Sequence, residues 1–579
     1  MPRFLPVLEL LENRLLLSTS SWETFYVDSS LAAGAGLTEP VLVLQGAGAD
    51  GDVASNSTGT ASLDDQVVWF DFDAGDGLGV GAAADVEIVS SSPEGLTGRI
   101  TIPGAWLEPV KLDGAQFTRL ALPGCGWTDV IGSPELPVIR QLLAVPDGAD
   151  VTAEIVGQPE LVSMADVGIH QPVAPLQSPV AKLAGALEAA TFSLDQAAYT
   201  ADSFAPEANV RVVEAGYADG QRLVMLEVAP ISYNPAAGTI SVYEALTFSV
   251  EIAGAVEAAG DVALFEASGS AGTGGRLLII AHNDFAGQLS AFVTHKTARG
   301  WTVDVANTST AGTTNTAIRS YIQSRYNNVA TRPDAVLLVG DTDRIPYFVG
   351  SGSATPVTDL YYGCMDGGDD WYQEIPVGRF SVANTTQLAD VIEKTIYYET
   401  SSAGDWTNDA VFMASVDNYT ITEGTHNWVI SHYMDPLGYD STKLYQVTYN
   451  ATTADVRNAF NAGQALGVYS GHGSTYSWAD GPPFSQTDVR NLTNVGKYPL
   501  IASFACITGE YDVSECFMET WLRSPDKAAV AVVGASVSSY WTEDDILEKK
   551  LFDAIFDEGY TAFGSAWVRA KELYLGHFG

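Results

Sequence analysis

The chain has 579 residues, which is too long for a single hydrophobic core, so about two to four domains are expected. It carries 71 Asp and Glu residues against 28 Lys and Arg, a formal net charge of −43, which argues against nucleic acid or an anionic membrane as a partner. Its four cysteines have no CxxC spacing and do not form a disulfide scaffold, and no apolar run of about eighteen residues predicts a transmembrane segment.

The first 84 residues show no sequence pattern that predicts a folded domain. Residues 1–20 contain an apolar stretch interrupted by charged residues, which is unlike an ordinary signal peptide. Within it, the run LENRLLL at 11–17 resembles the LEPR-XLL segment that opens many large exported bacterial proteins, with Asn13 where that segment has proline. The resemblance implies export, and a short amphipathic helix is the alternative. Residues 21–84 are rich in Gly, Ala, Ser and Asp and are predicted to be a linker.

Short alternating strands follow over residues 85–255. The runs LVMLEV at 223–228 and LTFSVEI at 246–252 have the composition of half-buried strands, and Asn234-Pro235 begins a hairpin-type connection. This region is predicted to be a β-rich domain. Residues 256–275 are dominated by Ala, Gly and Ser and are predicted to be a second linker.

From Arg276 onward, apolar strands alternate with segments of helical period. This alternation predicts an α/β fold with a mostly parallel sheet flanked by helices, in two subdomains over 276–405 and 406–579. The predicted strands and helices that precede the centre of the second subdomain are 277–281, 285–299, 302–305, 316–327, 335–341 and 410–415.

Two strands that are apolar on both faces end in reactive residues. The run ALGVYS at 465–470 leads to His472 between two glycines, and YPLIASFA at 498–505 leads to Cys506. Chemistry in parallel sheets collects at the carboxyl ends of the strands, so neighbouring strands would place the two side chains together. A thiol beside an imidazole is the minimal apparatus of a cysteine nucleophile. The pattern predicts a cysteine hydrolase, in the first place a protease, unless Cys506 forms a disulfide with Cys516.

The same segments resemble the gingipain-type (C25) cysteine peptidases, whose fold is caspase-like. The resemblance covers residues 276–579, and residues 85–255 resemble the propeptide of that family. The matching segments are YSGHGS at 469–474, FACITGE at 504–510, ECFME at 515–519, VAVVGAS at 530–536, LVGD at 338–341 and, in the propeptide, GSPELP at 132–137. The resemblance implies an α/β caspase-like catalytic domain preceded by a β-rich propeptide. It further implies an extracellular or cell-surface zymogen that acts on peptide substrates, and a longer chain with an immunoglobulin-like domain after the printed end.

Carried over by position, the resemblance implies roles for four residues. Cys506 is the nucleophile and His472 the general base and acid, and the backbone N–H groups of Gly473 and Cys506 form the oxyanion hole. Asp417 takes the place of an acidic residue that orients the histidine, where the best-known members have glutamate.

The resemblance also implies a basic-residue pocket. Glu423 occupies the position of the acid that binds Arg or Lys before the scissile bond, and Trp541 that of an aromatic wall. A buried carboxylate selects a cationic side chain by charge pairing, so cleavage after Arg or Lys is expected. The linker contains no Lys or Arg, so activation requires cleavage at Arg276 or Arg222, or another protease.

An acidic run gives one candidate metal site. Asp366, Asp369 and Asp370 surround two glycines, and this part of the family is known for bound calcium. Carboxylate oxygens on a glycine-bearing loop suit Ca²⁺, whereas a solvated acidic turn is the alternative.

Two other functions remain open from the sequence. The acidic composition and the long N-terminal linker also fit a non-catalytic surface protein that uses the α/β fold for adhesion or structure. A caspase-like hydrolase that cuts after a residue other than Arg or Lys is the third possibility. Rapid labelling of Cys506 by a thiol reagent at neutral pH would separate an enzyme from a structural protein.

Overall fold

The structure is a computed structural model that describes residues 42–44, 67–72, 79–254, 262–265, 275–350, 356–367, 370–401 and 404–578. The predicted export segment and most of the predicted 21–84 linker lie outside these residues. None of the described helices is long and apolar enough to cross a membrane.

The N-terminal β region, residues 67–265, consists of antiparallel sheets around one apolar core. The alternation is visible in the strand Ala245–Ala253, where Leu246, Phe248 and Val250 are buried and their neighbours are less buried. The predicted hairpin at Asn234 connects Ile231–Asn234 to Thr239–Val242. The prediction of a β-rich domain is therefore confirmed. The described part of the region also has a short α-helix, Ala186–Ala189, and a 3-10 turn, Ala198–Thr200. Its other strands, with the leading strand Leu42–Leu44, are Val68–Asp71, Asp85–Ser92, Gly95–Thr101, Gly104–Leu112, Ala115–Ala121, Gly126–Trp127, Pro137–Val145, Asp150–Val156, Glu160–Ser163, Val210–Ala218, Gln221–Val228 and Ala263–Leu264.

One part of the predicted 256–275 linker belongs to this β region. Ala263–Leu264 pairs with Pro137–Val145, and the Val262 side chain is fully buried. The composition of the segment does not reveal this strand, because its formation depends on a partner more than a hundred residues earlier in the chain.

The first α/β sheet is entirely parallel, in the order Thr302–Asn307, Arg276–Ala281, Ala335–Val339, Val377–Phe380. Its central strands are apolar on both faces, because successive side chains enter two different cores, one on each side. The helices that cover it are Asn283–Ala286, Ser290–Ala298, Thr308–Ala311, Asn315–Tyr326 and Thr385–Thr400, and a two-stranded ribbon pairs Phe348–Val349 with Val357–Thr358.

The second α/β sheet is also parallel, in the order Asp440–Tyr445, Asp409–Ala414, Leu466–Ser470, Leu500–Phe504, Ala531–Gly534. It again separates two apolar cores. The two strands that precede His472 and Cys506 are its third and fourth and lie side by side, as predicted. A small sheet of Gly473–Ser474, Ser477–Trp478 and Phe484–Ser485 lies in the same region. The α-helices of this region are Tyr419–Val429, Gln446–Tyr449, Thr453–Ala462, Gln486–Arg490, Phe517–Arg523, Trp541–Phe552 and Phe563–Phe578, and Ile430–Met434 and Asp553–Asp557 are π-helical.

A buried arginine connects the two sheets. Arg523, on the helix Phe517–Arg523, lies 2.7 Å from the Asp341 carboxylate, which follows a strand of the first sheet, and 2.5 Å from that of Glu519. Its Nε donates to the carbonyl oxygen of Ser381. Burial raises the pKa of Glu519 to about 7, so this carboxylate depends on the nearby guanidinium for its charge.

Replacement of Arg523 with methionine is expected to destabilise the α/β region by about 3–5 kcal/mol, because two buried carboxylates lose their cation. The matched control is Arg457→Met, which breaks a partly exposed ion pair with Asp488 and is expected to cost less than about 1 kcal/mol. Denaturant unfolding followed by tryptophan fluorescence measures both. Equal losses in the two variants would contradict the bridging role of Arg523.

Candidate active site

His472 and Cys506 meet at the carboxyl edge of the second sheet. Ser470 and Phe504 are paired in the parallel ladder, and each reactive residue lies two positions beyond its strand end. Both side chains contact one atom, the carbonyl oxygen of Lys182, which is 2.7 Å from His472 Nδ1 and 3.2 Å from Cys506 Sγ. The structure therefore brings together the thiol and the imidazole that the sequence pointed to, and Cys506 is a free thiol with no disulfide to Cys516.

The backbone around this pair is tightly packed. A Cβ atom at Gly473 would lie 2.4 Å from the carbonyl oxygen of Cys506, so only glycine allows the two segments to approach this closely. Ile507, directly after Cys506, has φ 49°, a left-handed conformation that a β-branched residue rarely adopts. Its N–H donates to the carbonyl oxygen of Val537, which helps to hold this strained turn.

Asp417 lies on the other side of the imidazole. Its Oδ2 is 2.9 Å from His472 Nε2, and the carboxylate is about half exposed. Asp417 follows the strand Asp409–Ala414, which is the neighbour of the strand before His472. The contact predicted between these two residues is formed despite the shorter aspartate side chain.

A lysine of the N-terminal β region fills the pocket beside this pair. The fully buried Lys182 Nζ forms an ion pair of 2.8 Å with Asp544 Oδ2. It also donates to the carbonyl oxygen of Phe504 at 2.8 Å and to Ser470 Oγ at 3.0 Å. The ammonium lies 5.4 Å from the centre of the Trp541 ring, within the range of a cation–π contact.

The backbone next to Lys182 lies as an added strand. Ala181 forms an antiparallel bridge with Tyr540, Lys182 N–H donates to the carbonyl oxygen of Ser539, and Trp541 N–H donates to that of Val180. Such strand addition is a common way to hold an extended peptide. The strand ends at once, because the N–H of residue 183 donates to the carbonyl oxygen of Ala181 and turns the chain at Lys182.

The pocket residues differ from those expected in one position. Trp541 lies where it was predicted, with its ring 5.3 Å from that of His472. Among the contacts of the described residues, Glu423 has none with Lys182, and its carboxylate accepts a hydrogen bond from the Thr448 hydroxyl. Asp544 faces the ammonium instead.

Neither Asp544 nor Lys182 was predicted from the sequence to belong to the site. Asp544 lies three residues after Trp541 in the first turn of the helix Trp541–Phe552, so the two share one helix face. The three-residue spacing from Trp541 could have identified Asp544 from the sequence. Lys182 could have been noticed because lysine is rare in this region: residues 80–263 contain only one other lysine, Lys111.

The environment of the thiol favours its protonated form in this arrangement. Burial raises the pKa of Cys506, and the N–H and hydroxyl of Ser539, which point to the sulfur, only partly offset this effect. A protonated thiol also agrees with its contact to a carbonyl oxygen, which can only accept a hydrogen bond.

Two residues of the predicted calcium site, Asp366 and Asp370, lie in the described part of the acidic loop. Both carboxylate oxygens of Asp370 accept backbone N–H groups, from Asp366 and Tyr372, and Asp366 Oδ2 accepts from the N–H of Gly220. Within the ranges that the structure describes, no group of three or more His, Cys, Asp or Glu side chains has the arrangement of a metal site. Asp369 lies outside those ranges, so the calcium site stays a prediction.

Comparison with known proteins gives two family matches. The model of peptidase family C25 matches residues 270–577, and the model named Propeptide_C25 matches residues 80–263. The two segments correspond to the α/β region and to the N-terminal β region.

Curated relatives are also similar to this chain, and one solved structure aligns with part of it. Lys-gingipain of Porphyromonas gingivalis is 30% identical over 474 residues, which cover 76% of this chain and 27% of that protein. Gingipain R2 of the same organism is 26% identical over 450 residues, 71% of this chain and 59% of that one. The crystal structure of the Arg-specific cysteine proteinase gingipain R aligns with a TM-score of 0.47 at 26% identity, over 52% of this chain and 72% of that chain. The chain thus spans only part of the length of these relatives.

Proposed function

Because the chain belongs to peptidase family C25, we propose that it is the zymogen of an exported cysteine endopeptidase that cleaves peptide bonds after lysine, and less readily after arginine. Residues 80–263 are its propeptide and also its inhibitor. The observation that carries the proposal is the position of Lys182, whose ammonium is paired with Asp544 while its carbonyl oxygen touches both Cys506 and His472.

The proposed reaction uses the geometry at the sheet edge. The Cys506 thiolate attacks the carbonyl carbon of the substrate peptide bond, and His472 accepts the thiol proton and then donates it to the departing amine. Asp417 holds Nε2 of His472, which directs Nδ1 to the sulfur side of the site. The N–H groups of Gly473 and Cys506 bind the developing oxyanion, and each such donor typically contributes about 3 kcal/mol to transition-state stabilisation. Water then hydrolyses the thioester.

The surroundings of the Lys182 ammonium support a preference for lysine over arginine. A carboxylate, a carbonyl oxygen and a hydroxyl approach the nitrogen, which matches the three N–H donors of an ammonium group. A planar guanidinium presents its donors as a fork and is larger, so it fits this set less well. The specificity role that sequence analysis gave to Glu423 is therefore proposed for Asp544.

The propeptide lies like a bound substrate up to Lys182, on the N-terminal side of this residue, but not beyond it. Val180 to Lys182 lie extended along residues 539–541, but the chain turns away directly after Lys182. The Lys182 carbonyl oxygen faces the imidazole and the thiol. We propose that this turn keeps the bond between residues 182 and 183 uncut, so that the propeptide inhibits instead of being consumed.

The assignment of Asp544 to the lysine pocket is tested by substitution of two buried carboxylates. A recognition sequence for an unrelated site-specific protease is placed between residues 266 and 274, and the chain is cut there and freed of its propeptide. This cut protein is assayed on peptides with Lys or Arg before the scissile bond. Asp544→Asn is expected to lower kcat/KM for the lysine peptide about 100-fold, since the substrate ammonium loses its counter-charge.

Glu423→Gln is the matched control, because Glu423 is equally buried but hydrogen-bonds to Thr448. It is expected to retain kcat/KM within about threefold, as a substitution remote from the substrate does. If Glu423→Gln lowered kcat/KM more than Asp544→Asn did, Glu423 would be the pocket carboxylate. Equal turnover of peptides with Lys, Arg or Leu before the scissile bond would refute basic-residue specificity.

A further inference from the structure

We propose that Asp480 is a positioning residue that holds His472 and Asp417 in register with each other. The inference rests on the proposed function, in which these two residues act on Cys506. Asp480 is half-buried and follows the strand Ser477–Trp478 of the small sheet beside the active site.

One carboxylate oxygen of Asp480 fixes the histidine segment. Its Oδ1 accepts the backbone N–H of His472 at 3.1 Å and lies 2.9 Å from the hydroxyl of Tyr469. The Tyr469 hydroxyl is also 2.7 Å from the carbonyl oxygen of His472. Burial and the nearby Asp480 raise the pKa of Tyr469 well above its usual value, so the phenol remains a donor in this cluster.

The other carboxylate oxygen fixes the segment that bears Asp417. Asp480 Oδ2 accepts the hydroxyl of Ser415 at 2.7 Å and the backbone N–H of Val416 at 2.9 Å. Val416 is the residue directly before Asp417. The carboxylate therefore joins the ends of two neighbouring parallel strands at the point where each delivers a side chain to the active site.

The backbone after Asp480 makes this link close and rigid. A Cβ atom at Gly481 would lie 2.1 Å from the carbonyl oxygen of Ala414, and Gly481 has φ 52°. The loop thus approaches the end of the strand Asp409–Ala414 more closely than any other residue type would permit. Ala479 N–H donates to the carbonyl oxygen of His472, which adds a further bond between the same loop and the histidine segment.

Asp480 acts through other residues and does not touch the reacting groups. Among the hydrogen bonds of the described residues, its carboxylate contacts neither Cys506 nor Lys182. An ordinary turn cap would serve one segment, whereas here the two oxygens serve two segments, each with one residue of the proposed catalytic apparatus. Loss of the link should therefore misplace His472 relative to Asp417 and leave the lysine pocket at Asp544 unchanged.

The test compares Asp480→Asn with Asp488→Asn in the cut protein. Asp488 is a control of similar chemistry, because its carboxylate also accepts a backbone N–H and a hydroxyl, both from Ser485 at a helix start. Its hydrogen bonds and its ion pair with Arg457 reach neither His472 nor the segment of Asp417. With the best lysine peptide, Asp480→Asn is expected to lower kcat about 30-fold while KM changes less than about threefold, since alignment and not substrate binding is lost. Asp488→Asn is expected to leave kcat unchanged. Melting temperatures of both variants separate misfolding from misalignment.

A second readout is independent of turnover. The rate of Cys506 alkylation by iodoacetamide is measured in the cut wild type, Asp480→Asn and His472→Ala. We expect both variants to slow alkylation, since the thiolate is formed with the help of a correctly placed imidazole. If His472→Ala slows alkylation but Asp480→Asn does not, and kcat of Asp480→Asn equals that of Asp488→Asn, the inference about Asp480 is wrong. If His472→Ala has no effect either, the proposed Cys–His pair itself is wrong.

Discussion

Replacement of Cys506 with alanine is expected to reduce peptide hydrolysis by the cut protein about 10⁴-fold or more, because the thioester of the proposed reaction forms on the Cys506 sulfur. The fold should survive, because the thiol is a small buried side chain at the end of an apolar strand. Initial rates on a lysine peptide, with melting temperature as the check on folding, measure the effect.

Cys516→Ala is the control for this substitution. Cys516 is equally buried but lies at the start of the helix Phe517–Arg523, ten residues further along the chain. It is expected to retain its rate within about threefold, as is typical of a residue outside the site. If Cys506→Ala kept its activity, or both variants lost it equally, the cysteine would not be the nucleophile and the non-catalytic surface-protein hypothesis would gain support.

Replacement of Lys182 with alanine is expected to raise the activity of the uncut chain about 10³-fold, because removing one partner of a buried ion pair typically costs 3–5 kcal/mol of binding. The variant propeptide loses the contacts of its ammonium to Asp544, Phe504 and Ser470. The pocket is then open to a substrate lysine. Hydrolysis of a lysine peptide by the uncut protein is the measurement.

Lys111→Ala is the matched control for latency. Lys111 is the other lysine of the propeptide and is exposed at the end of the strand Gly104–Leu112. Its replacement should leave the uncut chain as inactive as the wild type. Suppose that the Lys182→Ala variant is active once cut and freed of its propeptide but inactive while uncut. That result would show that inhibition does not depend on this lysine.

A second set of contacts should keep the variant propeptide attached while the pocket opens. Arg140 donates to the carbonyl oxygen of His577 at 2.6 Å and is ion-paired with Glu227. The Trp127 ring packs against the rings of His577 and Phe578. These contacts lie at the end of the last helix and do not involve Lys182. We therefore expect the Lys182→Ala propeptide to stay bound although it no longer inhibits, which gel filtration directly after cutting, before the propeptide is removed, would detect.

The centre of the fold was predictable from local sequence because of its composition. Strands such as Leu466–Ser470 and Leu500–Phe504 are apolar on both faces, which only a sheet covered on both sides accommodates. Each is followed by a reactive residue, and the end of a parallel strand is where such residues collect. The pairing of His472 with Cys506 followed from these two facts.

The rest of the site depends on contacts between distant segments. Lys182 reaches the pocket from another domain, and no local pattern marks a lysine that will be buried against a carboxylate. The choice between Glu423 and Asp544 depends on which helix face is turned to the pocket, and both residues have helical neighbours of similar character. The strand at Ala263–Leu264 was likewise hidden in a small-residue segment, because only its distant partner makes it a strand.

The central claim, a cysteine peptidase directed to lysine and held inactive by its own Lys182, is tested most directly by mapping the bonds that the protein cuts. The cut protein and its Cys506→Ala variant are incubated with a peptide library of mixed sequence, and the new ends are identified by mass spectrometry. We predict that most new carboxyl ends are lysine, that arginine is a minor class, and that the variant yields none. Cleavage mostly after other residues, or the same cuts from the variant, would contradict the account.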